Sequence, residues 1–287
     1  MEFKKKPNIL LIMTDQQRFD TLRCYGNDVI ETPCLDWLAE EGTVFTKAYT
    51  PSPSCVPARA SLITGKKPWK TGVLGMGGNQ LEMGVNFGTT IPSYLSELNY
   101  LTVGIGKMHF YPQRSLNGFH QTILDESGRI KDPDFISDYK EWFDNNKPAE
   151  VGIIDHGIDW NGWGARPYHL PEYLHATNWT VNEGIRFLKK KDPSKPFFLK
   201  LSFARPHSPY DPPEFYFNMY NDKELSKPAI GEWVEECEQK ITTLDAWNRK
   251  LTDEELKRAK AGYYGSITHI DTQIGRFLFA LKRENAF

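Results

Sequence analysis

A nearly unbroken apolar run at residues 8–14 leads directly into Asp15, and it limits the possible folds of this chain more than any other segment. Such a run is typical of a strand that is buried on both faces, as in parallel sheets covered by helices. Residues 101–106 and 197–203 have the same character. Because ligands bind beyond the carboxyl ends of such strands, we expect Asp15 and Gln16 to lie at a site.

Helical patterns lie between and after these strands. The spacing predicts a helix over 33–41 that ends at Gly42, a short helix over 56–64 that ends at Gly65, and a helix over 172–191. The inward residues of the first would be Leu35, Leu38 and Ala39. The last segment repeats apolar residues at helical spacing, which predicts an amphipathic helix with an inner stripe of Ile267, Ile270, Ile274, Phe277, Leu278 and Leu281. The order of elements predicts an α/β fold with a mixed, mainly parallel sheet flanked by helices.

Residues 112–170 are rich in Gly, Pro, Asp and Trp and show little periodicity. We therefore expect long loops there, arranged around the site.

Composition excludes several classes of partner. A net charge of −2 gives no general attraction to nucleic acid or to an anionic membrane surface. No apolar run approaches the roughly 20 residues needed to span a bilayer. The apolar part of the first run is too short for the core of a secretory signal, so we expect a cytoplasmic protein.

Four cysteines are present, at positions 24, 34, 55 and 237. None belongs to a C-x-x-C pair, which argues against a zinc site, and a disulfide framework is not expected in the cytoplasm. Cys24, Cys34 and Cys237 are interpreted as buried small apolar residues. Cys55 differs because of its surroundings.

Cys55 stands at the start of the short predicted helix, with Pro57 in the first turn and Arg59 four residues on. A helix N-terminus offers unpaired N–H groups and partial positive charge, and residues four apart share a helix face. The pattern favours a nucleophile and a guanidinium that both face an anion. A structural role for a cysteine at this place is the alternative.

The longer string at 55–65, Cys-Val-Pro-Ala-Arg-Ala-Ser-Leu-Ile-Thr-Gly, resembles the C-x-P-x-R signature of the type I sulfatases, in the alkaline phosphatase superfamily. Residues 8–16 look like the first strand and metal site of that family, and Gly-Lys-Met-His at 106–109 is similar to its G-K-x-H element. Pro-His-Ser-Pro-Tyr at 206–210 resembles its later histidine motif. The four motifs follow the order of the family.

The resemblance implies that Cys55 is converted to formylglycine by a maturation enzyme. This aldehyde hydrates to a diol that serves as the nucleophile. It also implies a divalent cation, Ca²⁺ or else Mg²⁺, bound by Asp15, Gln16 and the modified Cys55. The substrate would be a small-molecule or saccharide sulfate ester.

Other roles carry over by position. Arg59 and Lys107 would neutralise sulfate oxygens, and His109 would orient or deprotonate the diol. Lys107 and His109 are two residues apart at a strand end, so we expect their side chains to project to one face. His207 would contact the sulfate or protonate the leaving oxygen.

Three departures from the family pattern leave alternatives open. Gln16 stands where many members have Asp, and a branch that hydrolyses phosphonate monoesters and phosphodiesters also has Gln there. The family's second pair of metal ligands is not found in the expected order. Asp-His-Gly at 155–157 resembles that pair but comes too early, so we interpret it as a loop, and we interpret His269 and Asp271 as surface or packing groups. We therefore expect residues 1–287 to be the N-terminal portion of a catalytic domain without its C-terminal subdomain, and an inactive fragment is a further alternative.

Overall fold

In the computed structural model of the chain, the described residues are 6–76, 87–128, 132–226, 228, 231–232 and 251–287. Within them, four strands form one sheet in the order β1, β4, β2, β3, and every neighbouring pair is parallel. The strands are β1 (Ile9–Asp15), β2 (Leu101–Gly106), β3 (Gln121–Leu124) and β4 (Phe197–Pro206). The predicted α/β fold with a mainly parallel sheet is confirmed.

Strand β4 occupies the centre of this sheet and is buried along its whole length. Its side chains alternate between the faces, so that Leu199 and Leu201 join the main apolar core while Lys200 and Ser202 point the other way. Strand β1 lies at the edge of the described sheet and is only half-buried, except for Asp15. Residues 9–12 of β1 pack alternately against the two apolar clusters on opposite faces of the sheet, so the prediction that both faces are covered is confirmed. The strand is less buried than β4 because β4 is its only sheet neighbour among the described residues.

Helices cover both faces. In chain order they are α1 (Pro33–Glu41), α2 (Cys55–Thr64), α3 (Pro68–Thr71), α4 (Ile91–Glu97), α5 (Asp138–Asn146), α6 (Ala176–Lys190), α7 (Glu214–Asn221) and α8 (Asp253–Arg283). Helix α2 starts one residue earlier than predicted and ends at Gly65, whose φ of 65° and N–H bond to Ser61 close the last turn. The predicted helix over 172–191 is divided, because residues 172–174 form a 3₁₀ turn and the His175 side chain then caps α6.

Helix α8 lies across one face of the sheet and contacts α1, α6, α7 and β4. Its first turn is closed by a capping box between Thr252 and Glu255. All six residues of the predicted inner stripe are buried. His269 and Asp271 are buried too, so both are packing groups. Among the described residues, no helix is long and apolar enough to cross a membrane.

The region predicted as long loops contains two regular elements, β3 and α5, and that part of the prediction is wrong. Strand β3 has only four residues, which is too short for a clear alternation. Helix α5 buries only Tyr139 and Phe143 and is otherwise polar, so its apolar periodicity is weak.

The cysteines only partly follow the prediction. Cys24 is exposed and Cys34 is half-buried, and both are free thiols, as is Cys55. The interpretation of Cys24 as a buried residue is wrong, because it lies in a short surface turn after β1. Cys237 lies outside the described residues.

Candidate active site

A cleft of about 550 Å³ opens beyond the carboxyl ends of β1, β2 and β4. Its lining includes six of the seven residues predicted for the site, namely Asp15, Gln16, Cys55, Arg59, His109 and His207. The loop before α2 forms one wall, and Asn161 from the long connection before α6 contributes another. Parallel pairing brings the motifs together because it places the ends of the strands at one edge of the sheet.

Asp15 is the centre of the charged contacts in this cleft. Its Oδ2 accepts a hydrogen bond from Arg59 Nη2 at 2.7 Å and forms an ion pair with Lys107 Nζ at 2.8 Å, and the Cys55 Sγ lies 3.5 Å from Oδ1. Burial opposes ionisation of Asp15, but the two cations outweigh it and hold the pKa of this carboxyl well below its usual range. The group is therefore a carboxylate that pairs with two buried cations.

Cys55 is the first residue of α2, preceded by Ser54 as N-cap. Arg59 follows one turn later, and both side chains reach Asp15, as the spacing of four predicted. Burial raises the pKa of the Cys55 thiol, although Lys107 and Arg59 act in the other direction. An unmodified thiol here is mostly protonated at neutral pH and is a poor nucleophile.

Arg59 is held from two more sides. Its Nη1 donates to Ser202 Oγ at 3.0 Å and to the Lys107 carbonyl oxygen. Ser202 was not predicted as a site residue. The alternation of Lys200 and Ser202 with apolar residues in β4 is the signal that could have indicated a polar face.

Lys107 and His109 reach the site by a turn and not by strand alternation. Gly106 ends β2 with a φ of 90°, and His109 has a φ of 59°, so the backbone between them is not extended. Lys107 is fully buried and lies behind Asp15, whereas His109 lines the cleft. The two side chains thus reach one site by way of a turn, and strand alternation is not the reason, because the strand has already ended.

Gln16 and His207 complete the described lining. Gln16 has a φ of 58°, and its carbonyl oxygen accepts a hydrogen bond from the Tyr263 hydroxyl at 2.7 Å, which ties it to α8. A non-glycine residue in this region is strained, and such strain is concentrated at functional sites. His207 is buried, with Nδ1 3.1 Å from the Ser208 carbonyl oxygen.

Comparison with known proteins gives the family. A protein-family model described as Sulfatase matches residues 7–287. The chain belongs to the sulfatase family. An arylsulfatase of Clostridium perfringens is 49% identical over 290 residues, and this alignment covers 96% of the chain and 59% of the relative. A choline-sulfatase of Rhizobium meliloti is 28% identical, and this alignment covers 97% of the chain and 54% of the relative. The sulfatase chain thus spans less than two thirds of the length of these relatives.

Solved structures share the fold. A phosphonate monoester hydrolase of Agrobacterium radiobacter superposes with a TM-score of 0.76 at 23% identity, over 98% of the chain and 60% of that structure. A protein solved in complex with its substrate D-glucosamine-2-N,6-O-disulfate superposes with a TM-score of 0.68 at 22% identity, over 97% of the chain and 63% of that structure. At these identities the likeness establishes the sulfatase-like α/β fold alone.

Sulfatases generally use a formylglycine and a divalent cation. Asp15 and Gln16 offer hard oxygen donors suited to such a cation. However, among the described residues no group of three or more His, Cys, Asp or Glu side chains could hold a metal ion, and Asp15 is already paired with two cations. The described residues therefore do not fit a complete cation site.

A second buried charge cluster lies beside the cleft and was missed at the sequence level. Asp211 accepts from Arg205 Nε at 2.7 Å, and the Nε2 atoms of His156 and His175 lie 3.3 and 3.8 Å from its carboxylate oxygens. Burial opposes ionisation of Asp211, but Arg205 and the two histidines keep its pKa well below the usual range. Asp155 is exposed and accepts a hydrogen bond from the Gly152 N–H. Residues 155–157 therefore belong to an anchored loop and not to the lining of the cleft.

Proposed function

We propose that the whole protein hydrolyses sulfate monoesters, of the aryl or carbohydrate class, with Cys55 converted to formylglycine. The observation that carries the proposal is the meeting of Cys55, Arg59 and Asp15 at the start of α2, in one cleft. The 49% identity to an arylsulfatase supports the sulfate ester as substrate. The raised pKa of the Cys55 thiol supports a modified residue over a plain cysteine nucleophile.

The side chains of this sulfatase have separate tasks in the proposal. The formylglycine would supply a diol, of which one hydroxyl attacks sulfur and expels the alcohol. Loss of the proton from the second hydroxyl would then restore the aldehyde and release sulfate. Arg59, with the N–H groups at the start of α2, binds the sulfate oxygens, where burial strengthens each interaction. Lys107 stabilises the charge from behind Asp15. His109 orients or deprotonates the nucleophile, and His207 contacts the sulfate or protonates the leaving oxygen, since both residues line the cleft.

We also infer that Asp15, Gln16 and the modified Cys55 bind a divalent cation, for which Ca²⁺ is the first candidate and Mg²⁺ the second. Further ligands would come from outside the described residues. A maturation enzyme that generates formylglycine is the implied protein partner. The cytoplasmic location and the assignment of residues 1–287 to the N-terminal portion of the catalytic domain stay predictions.

A second candidate keeps the site and changes the ester to a phosphonate monoester or a phosphodiester. Gln16 favours it, since it removes one negative charge where many family members have a carboxylate. The likeness to a phosphonate monoester hydrolase agrees in fold.

Intact mass and substrate preference test these proposals together. Conversion of Cys55 should lower the mass by about 18 Da in a host with the maturation enzyme, and Cys55→Ala should abolish both the shift and the turnover. Cys24→Ala is the matched control, because that exposed thiol lies outside the cleft. Faster turnover of 4-nitrophenyl sulfate than of a phenylphosphonate ester supports the first proposal, and the reverse order supports the second. An unmodified mass with no turnover of either ester would reject both and leave an inactive fragment.

A further inference from the structure

Glu126 follows β3 and lies directly beneath the turn that carries His109. Its Oε1 accepts hydrogen bonds from the backbone N–H groups of Met108 at 3.1 Å and His109 at 3.0 Å, and its Oε2 lies 3.2 Å from the His109 nitrogen. The side chain is 1% exposed. One carboxylate thus receives two successive backbone donors in the floor of the site.

Neither of these N–H groups takes part in the pairing of the strands. The pairing of β2 with β4 continues to Lys107, whose N–H donates to the Ser202 carbonyl at 2.9 Å, and it stops there. The Met108 N–H is buried and the His109 N–H is partly buried, so leaving them without an acceptor would remove water from polar groups with no compensating bond. Glu126 meets both at once and so stabilises the left-handed conformation of His109, which has a φ of 59°.

Several basic side chains surround the carboxyl group of Glu126. Burial raises its pKa, whereas the His109 N–H, Arg59 and Lys107 act to lower it. Lys200 of β4 faces the same region, is fully buried, and its pKa is lowered well below the usual range, mainly by burial and next by Arg59. Glu126 is therefore a buried acceptor close to basic side chains of α2, of the turn after β2 and of β4.

We propose that Glu126 is a positioning residue that fixes the 107–109 turn, so that the His109 imidazole faces the cleft while the Lys107 amine reaches Asp15. The expected change in kcat rests on the proposed function. The expected change in the position of the His109 ring does not.

The kinetic test is Glu126→Gln in the full chain, with 4-nitrophenyl sulfate as the substrate. Gln has the same shape but only one acceptor oxygen, and its NH₂ group would oppose an N–H of the turn. We expect kcat to fall by about tenfold or more with KM changed less than about threefold, because an interaction needed in the transition state is displaced. In a His109→Ala background the same substitution should lower kcat by a clearly smaller factor, and the part that remains is the part that acts through Lys107.

A matched control is Glu141→Gln, on the exposed side of α5, for which kcat should not change. Losses that add fully in the double variant would overturn the proposal, because they would mean that Glu126 does not act through His109. A fall in kcat that is matched by Glu141→Gln would overturn it equally.

A second measurement needs no turnover. The His109 ring signal in a ¹H–¹³C NMR spectrum, identified by its loss in His109→Ala, should move in Glu126→Gln and stay in place in Glu141→Gln. A moved signal in a chain without sulfatase activity would support positioning and reject the proposed function, whereas an unmoved signal would overturn the positioning role. If Glu126→Gln does not fold, Glu126→Asp serves in its place, since it keeps an acceptor one methylene further from the turn.

Discussion

Replacing His269 by Gln should remove a specific pH dependence from the stability of the fold. This imidazole is 1% exposed, its Nε2 lies 2.6 Å from Asn178 Oδ1 and 3.5 Å from Glu172 Oε1, and its ring stacks on Tyr216 at 4.8 Å. Burial lowers its pKa from 6.5 to about 4, with Glu172 opposing the shift and His175 adding to it. Asp211 also opposes it, more weakly. The folded state therefore favours the neutral ring.

The sign and size follow from linkage. A histidine with a depressed folded pKa contributes stability that is present above its unfolded pKa and is lost as the pH falls from 6.5 towards 4. The loss from this group is about 2 kcal/mol between about pH 7 and pH 5, and about 3 kcal/mol by pH 4. Gln at this position cannot take up a proton, so the variant should lack this part of the loss.

Urea unfolding of both proteins at about pH 7, 6 and 5 measures the effect. The packing cost of the substitution is the same at each pH, so the difference in unfolding free energy should narrow by about 2 kcal/mol over this range. The control is His169→Gln, at an exposed position. It checks that the loss of an imidazole does not by itself reduce the pH dependence of the unfolding free energy. If the free energy of unfolding of His269→Gln and that of the unchanged protein fall in parallel as the pH is lowered, the reasoning is refuted.

Three further outcomes are expected. Asp15→Asn should lower the unfolding free energy at neutral pH by about 3–5 kcal/mol in urea, because it leaves two buried cations without their carboxylate. Gly106→Ala should cost about 3 kcal/mol or more in the same assay, since its φ is 90° and a Cβ would lie 2.0 Å from the Ser202 carbonyl oxygen. Iodoacetamide at about pH 8 should modify the exposed Cys24 before Cys34, whose pKa is raised to about 11, chiefly by burial, as peptide masses would record.

Local patterns predicted much of the fold. Strand β2 and helix α1 have the predicted bounds, and α2 differs by one residue, because apolar runs and glycine stops act within a few neighbouring residues. Strand β3 and helix α5 were not predicted. Their stability comes from contacts made elsewhere, such as the burial of Phe143 against the cluster around Trp179.

The site shows the same division. Helical spacing explains why Cys55 and Arg59 both reach Asp15, and the motifs predicted which residues would meet beyond the strand ends. Glu126 and Ser202 were missed, because neither lies in a motif and each acts on a residue far away in the chain. The burial of Lys107 behind Asp15 was missed for a similar reason, since the turn at Gly106 changes the direction that spacing alone suggests.

By itself, the sequence determined the type of fold, the family and the residues that gather at the sheet edge, since these depend on periodicity and on short motifs. Only the tertiary structure decided whether the side chains of these and other buried residues are charged and where they point. Asp15 stays ionised because Arg59 and Lys107, distant in the chain, share its buried surroundings, and His269 stays neutral because α6 and α7 exclude water from it. Both outcomes depend on which groups surround a side chain in a medium of low polarity, and packing alone sets that.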